Sequence, residues 1–496
     1  MKEKLFPTVS ACIIAKNEEK NLPRLLESLK GKFDEIVLVD TGSTDKTIEI
    51  AKSYGAKVYQ KEWKGFGDAR QFAVDKATSD WIWFFDADME LEEEEYKKFQ
   101  LIINQIHKDE NIEGLRVYYK NMTPYGKIQS ISTTVHIHRN KPYLKWVGKI
   151  HERVVNINTN TIVVPQYQIF VRHYGYSDAS TQKEKAKRNL NLLFEELKET
   201  EKNSYDYFIN LFYIVQSYTT LSAFDKFYLK EVIKYAQQFF EEINPQDYKN
   251  TIFYKHIFVY TIKAYFELDD LENAKKYLNK FLEELGDYPD IIYLKAMIEE
   301  KENKIEDSIE TFLYFVYLSD KIKQLGILEN VISDYIININ YVIYEKIDKY
   351  SSKKELLEMA ERYWKETKGK NTALVYYLIQ KEIDKEKAEK LLDKFIKLYQ
   401  DDDRFFIELA KNKEDIEEQI KILEEAKIIN PDNPDINLNL GKLYFKKEDY
   451  EKAFYNLKNY LEVSKDSSVI PLLKESIEKL GFSELSKNLT EKLKNF

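Results

Sequence analysis

Residues 81–90 read Trp-Ile-Trp-Phe-Phe-Asp-Ala-Asp-Met-Glu: five bulky apolar residues run straight into two carboxylates one residue apart, Asp86 and Asp88. An unbroken apolar run of this length fits a strand covered on both faces, as in a parallel sheet flanked by helices. Ligands of such sheets bind beyond the carboxyl ends of the strands. The chain thus places two acids where a ligand would sit. Mg²⁺ typically takes one or two carboxylates and fills its remaining sites with water and substrate phosphates. The pattern suits metal-assisted displacement of a phosphate-bearing leaving group, although an acidic turn after a buried strand is spelled the same way.

The flanking sequence favours the ligand site. Thr8–Ala15 is an apolar run of strand length, broken by Lys16-Asn17-Glu18-Glu19, and Leu22, Leu25, Leu26 and Leu29 follow at helical spacing. Ile36–Val39 forms a second strand ending on Asp40. Thr41-Gly42-Ser43-Thr44-Asp45 comes next, with Ser43 or Thr44 suited to cap a helix that stops at Gly55. Ala56–Gln60 reads as a third strand, Asp68–Ala77 as a helix and Trp81–Asp86 as a fourth strand. This alternation implies βαβ units and a mainly parallel sheet, with Asp40 and Asp86 on one rim. Other phosphate-binding patterns are absent. Gly65-Phe66-Gly67 has Arg70 where a dinucleotide motif needs its third glycine, and no Walker A sequence occurs. The Asp-x-Asp pair lies on the fourth strand with Glu90 two residues on, unlike haloacid-dehalogenase phosphatases. Nor is the first loop rich in glycine, as a sugar-phosphate nucleotidyltransferase requires.

Six short stretches carry a family likeness: Ala15–Glu18, Val39–Thr47, Asp68–Gln71, Phe85–Asp88, Trp146–Glu152 and His173–Tyr176. In this order and spacing, residues 8–178 resemble the inverting family 2 glycosyltransferases of the GT-A fold. The matching subgroup carries helical repeats behind the catalytic domain, a layout shared with sublancin-type S-glycosyltransferases and with enzymes of cell-surface glycan assembly. The resemblance implies a nucleotide-sugar pocket with Ala15, Asn17, Glu18, Asp40, Gly42, Arg70 and Asp86. It implies Mn²⁺ or Mg²⁺ held by Asp88 and His173, and Glu152 as the base that takes the acceptor's proton. Trp146 and His151 would face the acceptor or position the base. The implied reaction moves a sugar from a nucleotide diphosphate donor, UDP-linked by preference, with inversion and no covalent glycosyl-enzyme.

Four of the six histidines fall within residues 136–173. His136 and His138 alternate with Val135 and Ile137 in a strand-like run without a nearby Cys or acid, which favours a structural role over a zinc site. Cys12, the single cysteine, sits in the first strand and reads as core.

At 496 residues the chain exceeds one compact core. Nine of its 14 glycines and four of its five tryptophans precede residue 179, whereas the remainder runs in Lys, Glu, Leu, Ile and Tyr at helical spacing. The expected division is an α/β domain over 1–178 and an all-α domain over 179–496, with Ser177–Ser180 as linker or helix cap. Residues 434–467 fit a tetratricopeptide unit through Leu440, Gly441, Tyr444, Ala453 and Leu457, preceded by Ala426 and Pro431. Ala274 and Ser308 lie 34 residues apart at the small crossing position, and the register is lost over about 315–415. The second domain is expected to be an α-solenoid of diverged tetratricopeptide-like repeats. Such stacks suit a protein or peptide acceptor, or self-association into a homo-oligomer.

The net charge of −9 gives no electrostatic pull toward nucleic acid. No apolar run approaches the ~20 residues of a membrane span, and no signal peptide is evident, so a cytoplasmic enzyme is expected. A scaffold whose α/β domain binds nucleotide without transferring sugar is the alternative, disfavoured because a scaffold need not keep the whole constellation.

Overall fold

A computed structural model of the protein describes residues 6–122, 128–175, 179–202, 204–324, 342–431, 433–464 and 466–481. Strands β1 (Val9–Ala15), β2 (Glu35–Asp40), β3 (Lys57–Gln60) and β4 (Trp81–Asp86) alternate with helices α1 (Leu22–Leu29), α2 (Thr47–Ser53) and α3 (Phe66–Lys76). The strands pair in the order β3-β2-β1-β4, all parallel. Because β2 and β4 flank β1 on opposite sides, the carboxyl ends of β1 and β4 border the crevice where open sheets bind ligands.

The apolar run of β4 serves two cores. Trp81, Trp83 and Phe85 pack with the leucines of α1, whereas Ile82 and Phe84 pack with Ala73 and Val74 of α3. All five are fully buried, each contributing roughly 1.5–3 kcal/mol. Cys12 lies on the α3 side, its thiol pushed up by burial.

Beyond β4 come β5 (Met89–Glu90), α4 (Glu93–Ile106), β6 (Gly114–Met122), β7 (Ile128–Arg139), β8 (Leu144–Val147), β9 (Arg153–Asn156) and β10 (Ile169–His173). The eight-stranded sheet continues β4-β7-β6-β10-β5, and β8 and β9 form a separate hairpin. Four of the seven pairings in the large sheet are parallel, as expected of a mainly parallel sheet. Register places His173 opposite Met89, which brings β10 beside the acids after β4.

The start of α2 departs from expectation. Neither Ser43 nor Thr44 caps it; Asp45 Oδ1 accepts the Thr47 N–H at 3.0 Å instead. Ser43 and Thr44 are engaged by Asn17 of the preceding loop.

Helices α5 (Ala179–Glu199), α6 (Tyr205–Ser222), α7 (Tyr228–Glu242), α8 (Pro245–Tyr248) and α9 (Ile252–Glu267) follow. Tyr176, Ser177 and Asp178 lie outside the described residues. The sheet gives way to helix between 173 and 179, but the division into compact units falls later, at Tyr260/Thr261. In the first unit Ile150 shares a core with Ala186, Leu190 and Leu193 of α5 and with Ile214 and Leu221 of α6.

The described part of the second unit is helical. Helices Pro434–Lys446 and Tyr450–Ser464 form the expected tetratricopeptide pair. A Cβ on Gly441 would lie 2.7 Å from Leu457 Cγ, and Ala453 and Leu457 are fully buried. Ala274 and Ser308 are fully buried as well. Part of the 315–415 stretch, residues 325–341, lies outside the described residues. The architecture is α/β followed by an all-α region of repeat type. Among the described residues no helix is long and apolar enough to cross a membrane.

Candidate active site

A cavity of about 320 Å³ opens where β1 and β4 end, lined by Ala15, Glu18, Asp86, Asp88 and His173 among others. His173 Nε2 stands 3.3 Å from Asp88 Oδ1, an ion pair when the ring is charged, and Oδ1 is otherwise buried without a hydrogen-bond partner. A buried carboxylate oxygen left in that state is costly, and a cation beside it would remove the cost. Asn121 Oδ1 accepts from His173 Nδ1–H at 2.8 Å. That bond turns Nε2 toward Asp88, the arrangement that orients a metal-ligating imidazole. Asp88 and His173 thus fit a divalent cation. Among the described residues no cluster of three or more His, Cys, Asp or Glu forms a metal site, so phosphate oxygens and water would complete the shell. Gly175 closes over the pair: a Cβ there would lie 2.6 Å from Asp88 Oδ2 and 2.9 Å from His173 Nε2.

The charges respond to one another. Burial opposes the Asp88 carboxylate, but His173 and Lys185 outweigh burial and hold it below its usual range. Burial likewise opposes a charged His173, yet Asp88 and Asp86 raise it. Glu18 is held above the usual carboxylate range by burial, reinforced by Asp88 and Asp45.

Three expected nucleotide residues, Asp40, Gly42 and Asn17, do not line this cavity. Asp40 is fully buried and accepts the N–H groups of Gly42 at 3.1 Å and Ser43 at 3.2 Å. Its carboxylate shapes the loop, and Thr41 lines the cavity in its place. Gly42, at φ 105°, supplies the turn that aims those amides inward. Asn17 is exposed; its N–H donates to Ser43 Oγ at 2.9 Å and its Oδ1 accepts from Thr44 N at 2.8 Å. The loops after β1 and β2 are stapled together by this side chain.

Arg70 links the cavity to Glu152. Its Nε donates to Glu152 Oε1 at 2.6 Å and its Nη2 to Asp86 Oδ1 at 3.1 Å. Burial alone would lower the guanidinium, but Glu152 and Asp86 hold it above its ordinary value. The ring faces of Phe84 and Trp146 lie 4.9 and 5.1 Å from its centre. Trp146 is 5% exposed, too enclosed to meet an acceptor, and it acts as the wall that positions Arg70. Its indole N–H donates to His138 Nε2 at 3.0 Å. His136 bonds Tyr119, and both histidines are buried. His151, at φ 52°, stacks on Tyr213 of α6 with ring centres 3.2 Å apart.

Sequence reasoning missed the contribution of α5. Lys185 and Arg188 line the cavity; the Lys185 ammonium donates to the Gly175 carbonyl at 3.1 Å, and Arg188 lies over the Phe66 ring. Their i, i+3 spacing near the start of a helix was visible, but a boundary set at 178 removed them from view. Further along α5, Glu196 Oε2 accepts the Lys149 N–H at 3.1 Å. The same loop meets α3 closely, since a Cβ on Gly67 would lie 2.4 Å from the Gly148 carbonyl oxygen. Close backbone approach, not phosphate binding, explains Gly65-Phe66-Gly67.

Residues 10–170 match the model of glycosyl transferase family 2. An uncharacterized glycosyltransferase of Rickettsia bellii is 32% identical over 202 residues, 38% of this chain and 66% of that protein. The SPbeta prophage-derived glycosyltransferase SunS of Bacillus subtilis is 30% identical over 201 residues, 40% of this chain and 47% of that protein. A TPR repeat-containing protein of Synechococcus elongatus is 31% identical over 186 residues, covering 34% and 42%. The chain spans between 42% and 66% of the length of these relatives. Residues 10–170 form a domain of glycosyl transferase family 2.

Proposed function

We propose that the protein is an inverting glycosyltransferase. It moves a sugar from a nucleotide diphosphate donor, UDP-linked by preference, to an acceptor whose carrier the helical repeats engage. The observation that carries this reading is the buried Asp88 Oδ1 paired at 3.3 Å with His173 Nε2 and otherwise without a hydrogen bond, in a cavity that Lys185 and Arg188 also face. A divalent cation held by Asp88 and His173 would supply Lewis-acid neutralisation of the departing diphosphate. Lys185 and Arg188 bind the same phosphates by charge-assisted hydrogen bonds. Arg70 fixes Glu152 through Oε1, leaving Oε2 to take the acceptor's proton. General-base help of this kind contributes ~10²–10⁴-fold. Nucleotide sugars are drawn from the cytoplasm, where the reaction would run.

Calorimetric titration with UDP, with and without Mn²⁺, tests the reading. Binding is expected to require Mn²⁺, and Arg188→Ala is expected to weaken UDP by about tenfold or more while leaving uridine unaffected. Equal weakening of UDP and uridine would remove Arg188 from the phosphates. No UDP binding with any metal would overturn the donor assignment.

A further inference from the structure

A second cavity, of about 580 Å³, adjoins the first; His173, Gly175 and Lys185 line it together with residues of α5 and α6 and with Tyr260 of α9. Two of those residues, His173 and Lys185, also line the first cavity, so a ligand in the second would lie beside a donor held in the first. His151, which immediately precedes Glu152, opens into it.

We propose that this second cavity receives the acceptor, and that the group received is a carbohydrate hydroxyl. The assignment rests on the transferase reading above. It follows from what the walls offer. Thr219 and Thr220 donate their hydroxyl protons to the carbonyls of Val215 and Gln216, at 2.9 and 3.1 Å, and so present oxygen lone pairs to the cavity. Asn189, Gln216 and Ser217 add amide and hydroxyl groups. Among the described residues no carboxylate lines the space, Lys185 is the one formal charge beside two imidazoles, and Ala186 is the one aliphatic side chain. Walls rich in neutral hydrogen-bonding groups and poor in charge, with the rings of His151 and Tyr260 as their main apolar surface, suit a neutral ligand that is dense in O–H donors and has C–H faces to lay on a ring. A sugar is such a ligand. A polypeptide segment would bring one side-chain hydroxyl where these walls offer five neutral polar side chains. The imidazole of His151, held flat against Tyr213 with 4° between the rings, adds a rigid face on which a pyranose can rest. A volume of this size lies in the range of small-ligand sites.

Saturation-transfer NMR on the full chain, with UDP and Mg²⁺ present, tests the assignment. The probes are methyl β-D-glucopyranoside, methyl β-D-galactopyranoside, methyl N-acetyl-β-D-glucosaminide and the tripeptide acetyl-Ala-Thr-Ala-amide. At least one glycoside is expected to receive saturation and the tripeptide none. In the double variant Gln216→Leu, Thr220→Val the glycoside signal is expected to fall at least fivefold while the UDP-induced melting shift persists, which shows the variant is folded. Saturation of the tripeptide alone, of no probe, or of the glycoside equally in wild type and variant would overturn the assignment. A UDP shift retained alongside such a result leaves the transferase reading standing; loss of the UDP shift in the wild type would sink that reading instead.

Discussion

Arg70 Nε donates to Glu152 Oε1 at 2.6 Å, and this bond joins helix α3 to the loop that carries the proposed base. Both side chains are at least nine-tenths buried, at 5% and 10% exposure. Breaking a buried ion pair by removing one partner typically costs about 3–5 kcal/mol, because the other charge is left uncompensated. Arg70→Met is therefore expected to destabilise the first unit by about that amount, read as guanidinium unfolding followed by tryptophan fluorescence. Adding Glu152→Leu should recover part of the loss. A double variant that costs the full sum of the two singles would show that the residues act independently.

Gly175→Ala separates binding from folding. The added methyl would lie 2.6 Å from Asp88 Oδ2 and 2.9 Å from His173 Nε2, closer than carbon tolerates, on the two side chains that fit a cation. The variant should still melt in one cooperative transition, which shows that it is folded, yet lose its Mn²⁺-dependent UDP shift. A preserved shift would place the cation elsewhere.

His138 makes the first unit acid-sensitive. Its Nδ1–H donates to the Arg139 carbonyl at 2.8 Å and its Nε2 accepts from the Trp146 indole at 3.0 Å. A second proton would face an N–H, and burial pushes the ring down to about 4. An unfolded histidine titrates near 6.5, so below that pH the unfolded chain takes up a proton the native ring refuses. Stability therefore falls from about pH 6.5 to about 4, by about 3 kcal/mol for this group. His136 shifts in the same direction, burial again the largest cause. Unfolding at pH 7 and pH 4 should show the loss, and His138→Gln should remove this share of it. An identical profile in the variant would mean that the ring titrates normally.

Much of the first unit was legible because its signals are local. The apolar run of Trp81–Phe85 and the leucines of α1 are patterns of period and length, and both fold as their spelling implies. Ala15, Glu18, Asp86, Asp88 and His173 meet at one cavity. Asp40 shows where spelling fails. An acid at a strand end can face a ligand or bind its own loop amides, and only the backbone of Gly42 and Ser43 decides between them. Tyr119, Asn121 and Trp146 contribute through pairings across strands far apart in sequence, which spacing does not encode. Lys185 and Arg188 were missed for a different reason: a domain edge placed where composition changes is not an edge in space.

Helix α5 carries that last point further. Its first turns place Lys185 and Arg188 at the cavity, and its later turns hold the Lys149 amide through Glu196. A fragment ending with the family match at residue 170 would keep both Asp-x-Asp acids, yet cut β10 short of His173 and lack these two cations and the clamp on the Glu152 loop. A piece that keeps them runs on through α9 to Glu267, just past the Tyr260/Thr261 division between compact units. Homology and physical completeness part company here by at least ninety residues.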